Sequence, residues 1–182
     1  MNGGKVNLFK RGIAAVLDIY ISSVLANIPV LLIYSIKTGE TQLPRDLSSL
    51  PALSGSLICL MEIIMILVYY IILPVYKFNG QTLMKKLFGF KVVKTDGSNV
   101  DLSTLLKREL LGSMIVEGGF VMSGGYFREF ILIITGLDFL YKILVHISYA
   151  LSILSVIFMI FLKDNRALHD FIANTQVVKV CK

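Results

Sequence analysis

The sequence predicts an all-α polytopic membrane protein: four transmembrane helices, a small cytoplasmic β hairpin, and an interfacial helix between the third and fourth spans. Three observations lead there. Hydrophobic residues make up 55% of the chain and charged residues 16%, with a mean hydropathy of +0.76, outside the usual balance of a soluble domain. Apolar runs long enough to cross a hydrocarbon core of about 30 Å recur along the chain. Acidic residues interrupt those runs, although a carboxylate at a helix centre costs about 3 kcal/mol on an insertion scale. A length of 182 residues allows one domain, residues 1–182, and no separate soluble catalytic domain.

The first span covers residues 12–36, uncharged except for Asp18, with Arg11 seven positions earlier. Lys5, Lys10 and Arg11 ahead of it resemble a signal peptide. The run is too long for a signal core and lacks a small-residue cleavage site, so an uncleaved anchor is expected. The loop KTGETQLPRDLSSLP, with Gly39, Pro44 and Pro51 as breakers, leads to a second span at 53–76 that carries Glu62. The third span, 105–127, starts amphipathic and turns glycine-rich, with Glu117 midway. Its glycines suit close helix packing, or an unwound stretch with free carbonyls as the alternative. EFILIITGLDFLYK, residues 129–142, reads as an interfacial or re-entrant helix, with a fifth span as the alternative. The fourth span is 143–162, clean apart from His146.

Fourteen of the 18 basic residues fall before span 1, between spans 2 and 3, or after span 4. The other four are Lys37, Arg45, Arg128 and Lys142. This bias places both termini and the loop 77–104 in the cytoplasm. Contact with anionic lipid explains the +6 net charge without any nucleic acid. Trp is absent, and eight Tyr are left to supply the interfacial belt. Cys59 and Cys181 read as free thiols, with no metal-ligand spacing around either.

Within the cytoplasmic loop, Phe90-Lys91-Val92-Val93-Lys94 has strand character and ends at the hairpin turn Thr95-Asp96-Gly97. Leu83, Leu87 and Phe90 share a helical spacing before it, with Lys85 and Lys86 facing away. Asp101 or Ser103 is placed to cap the next helix. The C-terminal TQVVKV is strand-like and is a possible partner of the hairpin. Gly80, Gly89, Gly97 and His169 are expected to be structural.

Three segments, FKRGIAAVLDIYI, GQTLMKKLFGFKVVKTDG and RALHDFIANTQVV, resemble the RDD family of small integral membrane proteins in the right order and over nearly the whole chain. The resemblance assigns Arg11, Asp18 and Asp170 to the family's arginine and two aspartates. It implies a polytopic membrane protein and a possible transporter. Met84 and Asn174 depart from the pattern, standing where small residues, glycine especially, are usual.

Arg11 and Asp18 share a helix face but are separated by about 10 Å in depth, long for a direct pair. Arg11 and Asp170 are expected to pair across the base of the bundle. The depths of Asp18 and Glu62, counted from opposite membrane faces, put the two carboxyls within about a turn of each other. Such a pair shares a proton or holds a cation. With Glu117 as third member, the acids define an expected ion- or proton-binding site for Na+ or H+. The static alternative for each is an interhelical hydrogen bond. Neither G-x-S-x-G nor H-E-x-x-H occurs, and His169-Asp170 has no nucleophile motif beside it, so an enzyme, a metal centre and a cofactor are not expected. The functional expectation is a bacterial plasma-membrane transporter of a cation or proton, working as a homo-oligomer. The alternative is a membrane scaffold or assembly factor that binds a partner protein.

Overall fold

The computed structural model describes residues 6–44 and 46–180. Lys5, Arg45, Cys181 and Lys182, counted above among the charges and thiols, lie outside the described residues.

Helix α1 is Leu8–Thr38, started by the Asn7 side chain on the Phe9 amide and ended by Gly39 in the left-handed region. It buries Ala14, Asp18, Ser22, Ala26 and Val30, a stripe of mostly small residues four apart that lets a neighbouring helix approach closely. Helix α2 is Ala52–Tyr76, with a wider π turn at Val68–Ile72, and packs on α1. Pro74 lies just past the π turn, where Lys77 and Phe78 both bond to the Leu73 carbonyl. A short helix α3, Leu83–Phe88, and strand β1, Phe90–Lys94, follow. Helix α4 is Leu102–Leu106 continued by a π segment, Lys107–Glu117. Helix α5 is Met122–Thr135, α6 is Asp138–Phe161, α7 is Leu168–Ile172, and strand β2 is Thr175–Lys179.

Three helices, α1, α2 and α6, are long and apolar enough to cross a membrane. Their outward faces carry large exposed apolar residues, such as Ile147, Ile153 and Ile157 on α6, which suits lipid contact. The expected third span is not one helix. It breaks at Gly118, whose φ of +39° ends α4, and restarts at Met122. A Cβ on Gly118 would meet the Met114 carbonyl at 2.8 Å, so the break requires glycine. The segment 129–142 is not an independent interfacial helix either. Its first part completes α5, and after the left-handed Gly136 its remainder is the first turn of α6, which therefore starts before residue 143.

The expected hairpin is also corrected. Thr95–Gly97 does turn the chain, but only a single bridge, Val93 to Asn99, follows on the local side. The true partner is the C-terminal strand, antiparallel, with Phe90 opposite Lys179 and Lys94 opposite Thr175. The reason is packing. Val92 and Val177 face a cluster of Ile71, Val100 and Leu105, so the sheet is buried against the ends of α2 and α4. Asp101, not Ser103, caps α4 through the Thr104 amide. Gly80 has φ +84° and turns back so tightly that its carbonyl accepts from the Val92 amide at 2.9 Å.

Candidate functional site: a charged cavity at the base of the bundle

The start of α1, the end of α2, the start of α4 and the end of α6 meet at one end of the molecule, closed by α3, α7 and the sheet. Asp170 is the centre of that base. It is fully buried, takes Arg11 Nη2 at 2.5 Å on one carboxylate oxygen and Arg108 Nε at 3.1 Å on the other, and adds the Thr175 hydroxyl and the Ala167 amide. Burial alone would raise its pKa; Arg108 and Arg11 outweigh it and hold the carboxyl well below the usual carboxylate range. Arg11 also donates to the Asn165 carbonyl at 2.5 Å, which ties the first helix to the last segment. Arg11 and Asp170 are thus in contact, as the sequence suggested.

Asp18 is a second anchor. It is 1% exposed and receives the Tyr69 and Thr82 hydroxyls, the Met84 amide at 3.3 Å and, at 3.7 Å, the Lys85 ammonium. Thr82 meanwhile caps α3. Asp18 therefore docks the loop segment onto α1 and α2, and Met84 contributes only its main chain to that contact. The expected face of α3 is inverted: Leu83 and Leu87 are exposed, while Lys85 turns inward to Asp18 and toward the Tyr70 ring. Burial pushes the Lys85 ammonium down against the pull of Asp18.

The Asp18–Glu62 pairing is overturned. Asp18 meets Tyr69, seven residues beyond Glu62 on the same helix and so about 10 Å along its axis. Helix rotation and tilt, which hydropathy does not encode, decide this. Glu62 is 0% exposed, and neither oxygen has a hydrogen-bond partner among the described residues. Its neighbourhood is Cys59 and Tyr126 rather than the base. Cys59 is buried and free.

Glu117, at the break in α4, receives the His169 amide at 2.6 Å, His169 Nδ1 at 2.9 Å and the Ser155 hydroxyl at 2.8 Å. Its carbonyl takes the Ser152 hydroxyl. On its other edge, His169 Nε2 lies 2.9 Å from Arg108 Nη2. A guanidinium can only donate, so this contact gives Nε2 the acceptor role and leaves Nδ1–H to face Glu117. Gly112 permits the approach: a Cβ there would meet His169 Cβ at 2.7 Å. Arg128, counted above as a loop charge, is buried on α5 and donates to the Gly118 carbonyl at 2.8 Å, capping the broken helix. The glycines serve both expected purposes. Gly118 makes the break, and Gly119 lets it lie against Ser148 and Ser152 of α6. His146 bonds only to the Lys142 carbonyl one turn back and lies outside the base.

Between α1, α4 and α6 lies a cavity of about 210 Å³. Arg11, Asp18 and Lys85 line one side, and Arg108, Glu109, Glu117 and His169 another, over an apolar floor that includes Ile19, Phe120 and Val121. Glu62 is not part of it. Arg108, Glu109, Lys85, Tyr69 and Thr82 were not singled out as site residues from the sequence. The available signal was Arg108-Glu109 in a run otherwise entering the membrane.

The RDD family profile matches residues 5–174. The chain belongs to the RDD family. It is 30% identical over 165 residues to a Bacillus subtilis (strain 168) protein described as uncharacterized protein YckC, covering 90% of this chain and 78% of that one. No solved structure matches. Arg11, Asp18 and Asp170 are the residues that the resemblance assigns to the family's arginine and two aspartates, and all three lie within the matched range. Here they are the fasteners of the base. Asn174, where glycine is usual, has φ +51°, a left-handed conformation that asparagine tolerates. Gly80 and Gly97, in the family's loop segment, also take positive φ, as does Gly89.

Proposed function

We propose that the protein is a small transporter of the bacterial plasma membrane that carries a proton or a cation, Na+ among the candidates, through the charged cavity. The observation that supports this reading is Glu109 and Glu117 of α4 lining a cavity of about 210 Å³ that is flanked by α1 and α6, two of the helices long and apolar enough to cross a membrane. Buried carboxylates of this kind are expensive in a membrane and gather where ions or protons pass. Asp18 lines the same cavity but already accepts three hydrogen bonds and faces the Lys85 ammonium, so the moving charge is assigned to Glu109 and Glu117, and Asp18 to holding the loop. Glu62 is a separate buried carboxyl outside the cavity lining.

In this reading the third of four crossings is the discontinuous pair α4–α5, with both termini and the base in the cytoplasm. Broken helices supply ion-facing carbonyls in transporters, and the α4–α5 break lies beside Glu117. Cargo passes unmodified and no cofactor is required. A homo-oligomer would supply the enclosure that so few helices lack.

The test is flux in reconstituted vesicles loaded with a pH-reporting dye and given gradients of protons, Na+ or K+. Wild-type protein should carry at least one of them. Glu117→Gln and Glu109→Gln should each reduce the rate by about tenfold or more while the protein stays folded and inserted. Well-folded wild-type protein that is silent with every cation, and that copurifies with a stoichiometric protein partner, would replace transport with the scaffold reading.

A further inference from the structure

We propose that Glu62 is a proton-binding site in its own right, one turn beyond the cavity, which exchanges its proton with the face of the membrane opposite the base by way of Tyr126 and Glu129. That this proton drives movement through the cavity rests on the transport reading above; the site itself does not.

Glu62 differs from the other buried acids of the bundle. Asp18, Glu109 and Asp170 each lie against a Lys or Arg, and Glu117 against His169. Glu62 is 0% exposed, and neither of its oxygens has a partner among the described residues. An ionised carboxylate there would be a bare charge in a low-dielectric interior, a cost that the acid form avoids. A glutamate kept as a static tie between helices would show the hydrogen bond that does the tying. Glu62 shows none, and packing alone would favour an apolar side chain in its place.

Its surroundings suit a proton and not a metal cation. Cys59 on its own helix and Tyr126 on α5 are within electrostatic reach of Glu62, and Glu129 of α5 is within reach of both. From α1, Asn27 is hydrogen-bonded to Tyr126, and from the loop before α2, Asp46 lies near Glu129. Arg128 turns elsewhere, to the Gly118 carbonyl and toward Tyr141 and Tyr149 of α6. A hard cation needs a shell of oxygen ligands. Here Tyr126 and Asn27 are bonded to each other, and Ile63 and Ile66 are the buried residues that follow on α2. A proton needs neither shell nor room.

Position supplies the route. Ser22 of α1, Ile66 of α2 and Ser123 of α5 line the cavity. About one turn farther from the base on the same helices come Ala26, Glu62 and Tyr126, roughly 6 Å away at 1.5 Å per residue. Ile66 is therefore the wall between Glu62 and the cavity. Beyond Tyr126, Glu129 accepts the Leu47 amide at 3.1 Å, in the loop ahead of α2. Tyr126 and Glu129 are half-buried where Glu62 is closed. Acids spaced in this way form proton relays inside membranes. A proton taken up by Glu129 passes to the Glu62 carboxylate, forms its O–H, and leaves by the reverse transfer, with no other reactant.

The experiment uses the full-length protein in vesicles sorted so that the loop 39–44 faces the bath. Infrared spectroscopy reads the carbonyl stretch of a protonated carboxyl, assigned by its loss in Glu62→Gln. The wild type should show this band at neutral pH. The band should fade when the bath is made alkaline and persist when only the lumen is, and Glu129→Gln should slow the fading severalfold. Dicyclohexylcarbodiimide, which attacks protonated carboxyls from the lipid, needs no substitution: mapped by peptide mass, its label should fall on Glu62 of the wild type with the same dependence on bath pH. Absence of both signals at neutral pH overturns the proposal. So do signals that no pH on either side alters, which would mean a static acid, and loss of the label on adding Na+ at constant pH, which would mean a cation site. Flux under a pH gradient separates the coupling from the site. Glu62→Gln should lower proton-driven cation movement about tenfold or more, and an unchanged rate overturns the coupling. Wild-type protein that moves no cation yet shows the titrating band removes transport and upholds the site.

Discussion

Asp170 serves two guanidiniums at once, so its loss and the loss of Arg11 are not equivalent. Arg11→Ala leaves Asp170 paired with Arg108 and should cost about 2 kcal/mol. Asp170→Ala leaves both guanidiniums short of a counter-charge in a buried place and should cost about 3–5 kcal/mol. The double variant should lose less than the sum, measured by denaturation in a detergent micelle; additivity would mean that the contact is energetically silent. The same carboxyl sets an acid limit. Its folded pKa is lowered, so its stabilisation is fully present above its unfolded value of about 3.9 and is lost as pH falls below that toward the folded value. The midpoint temperature of the wild type should fall on acidification through that window, and Asp170→Asn, starting lower, should fall less. At this scale the sequence was informative for Arg11, Asp18 and Asp170, because a charge beside or within an apolar run is conspicuous by its cost. It was silent on Tyr69 and Thr82, whose hydroxyls are unremarkable until a carboxylate is placed against them.

The elements meet through glycines, and their geometry separates positions that composition treats alike. A Cβ at Gly112 would overlap His169 of α7, and one at Gly119 would meet the Ser148 carbonyl at 2.8 Å, while Gly125 has open space around it. Gly112→Ala and Gly119→Ala should each destabilise by about 1–3 kcal/mol. Gly125→Ala, inside α5, should be neutral or stabilising by about 0.5–1 kcal/mol. Thermal unfolding of the three variants side by side checks the ranking, and equal effects would count against these contacts. The long apolar helices α1, α2 and most of α6 were legible in the sequence because length and hydropathy are local properties. The break at Gly118 was not, since a glycine-rich apolar run fits a continuous span as well as an interrupted one. The inverted face of α3 was hidden for a related reason. At the base of a membrane protein, leucines gain as much from lipid as from a core, and Lys85 follows Asp18 instead.

At the scale of the whole molecule, the Arg11–Asp170 contact and the β1–β2 pairing bring both ends of the chain to one end of the bundle. If that end of the bundle lies on one side of the membrane, the number of crossings is even. Reporters fused at residues 1 and 182 should both read as cytoplasmic, and one inserted in the loop 39–44 should read as external. Opposite signals from the two ends would contradict the fold as well as the orientation. Hydropathy alone left four and five spans open, because 129–142 is apolar yet short. The folded chain divides it at Gly136 into the end of one helix and the start of the next.

The pairing of β1 with β2 also orders events during synthesis. Thr175–Lys179 leaves the ribosome some 80 residues after the strand it joins. Until then Phe90–Lys94 has an open edge, and the cluster around Val92 lacks Val177. The helices between the two strands are made before the second strand, so the base closes only after α4, α5, α6 and α7 have been synthesised. A nascent chain stalled before residue 165 would present an unpaired strand and an Arg11 without Asn165 or Asp170 to the quality-control proteases at the membrane surface.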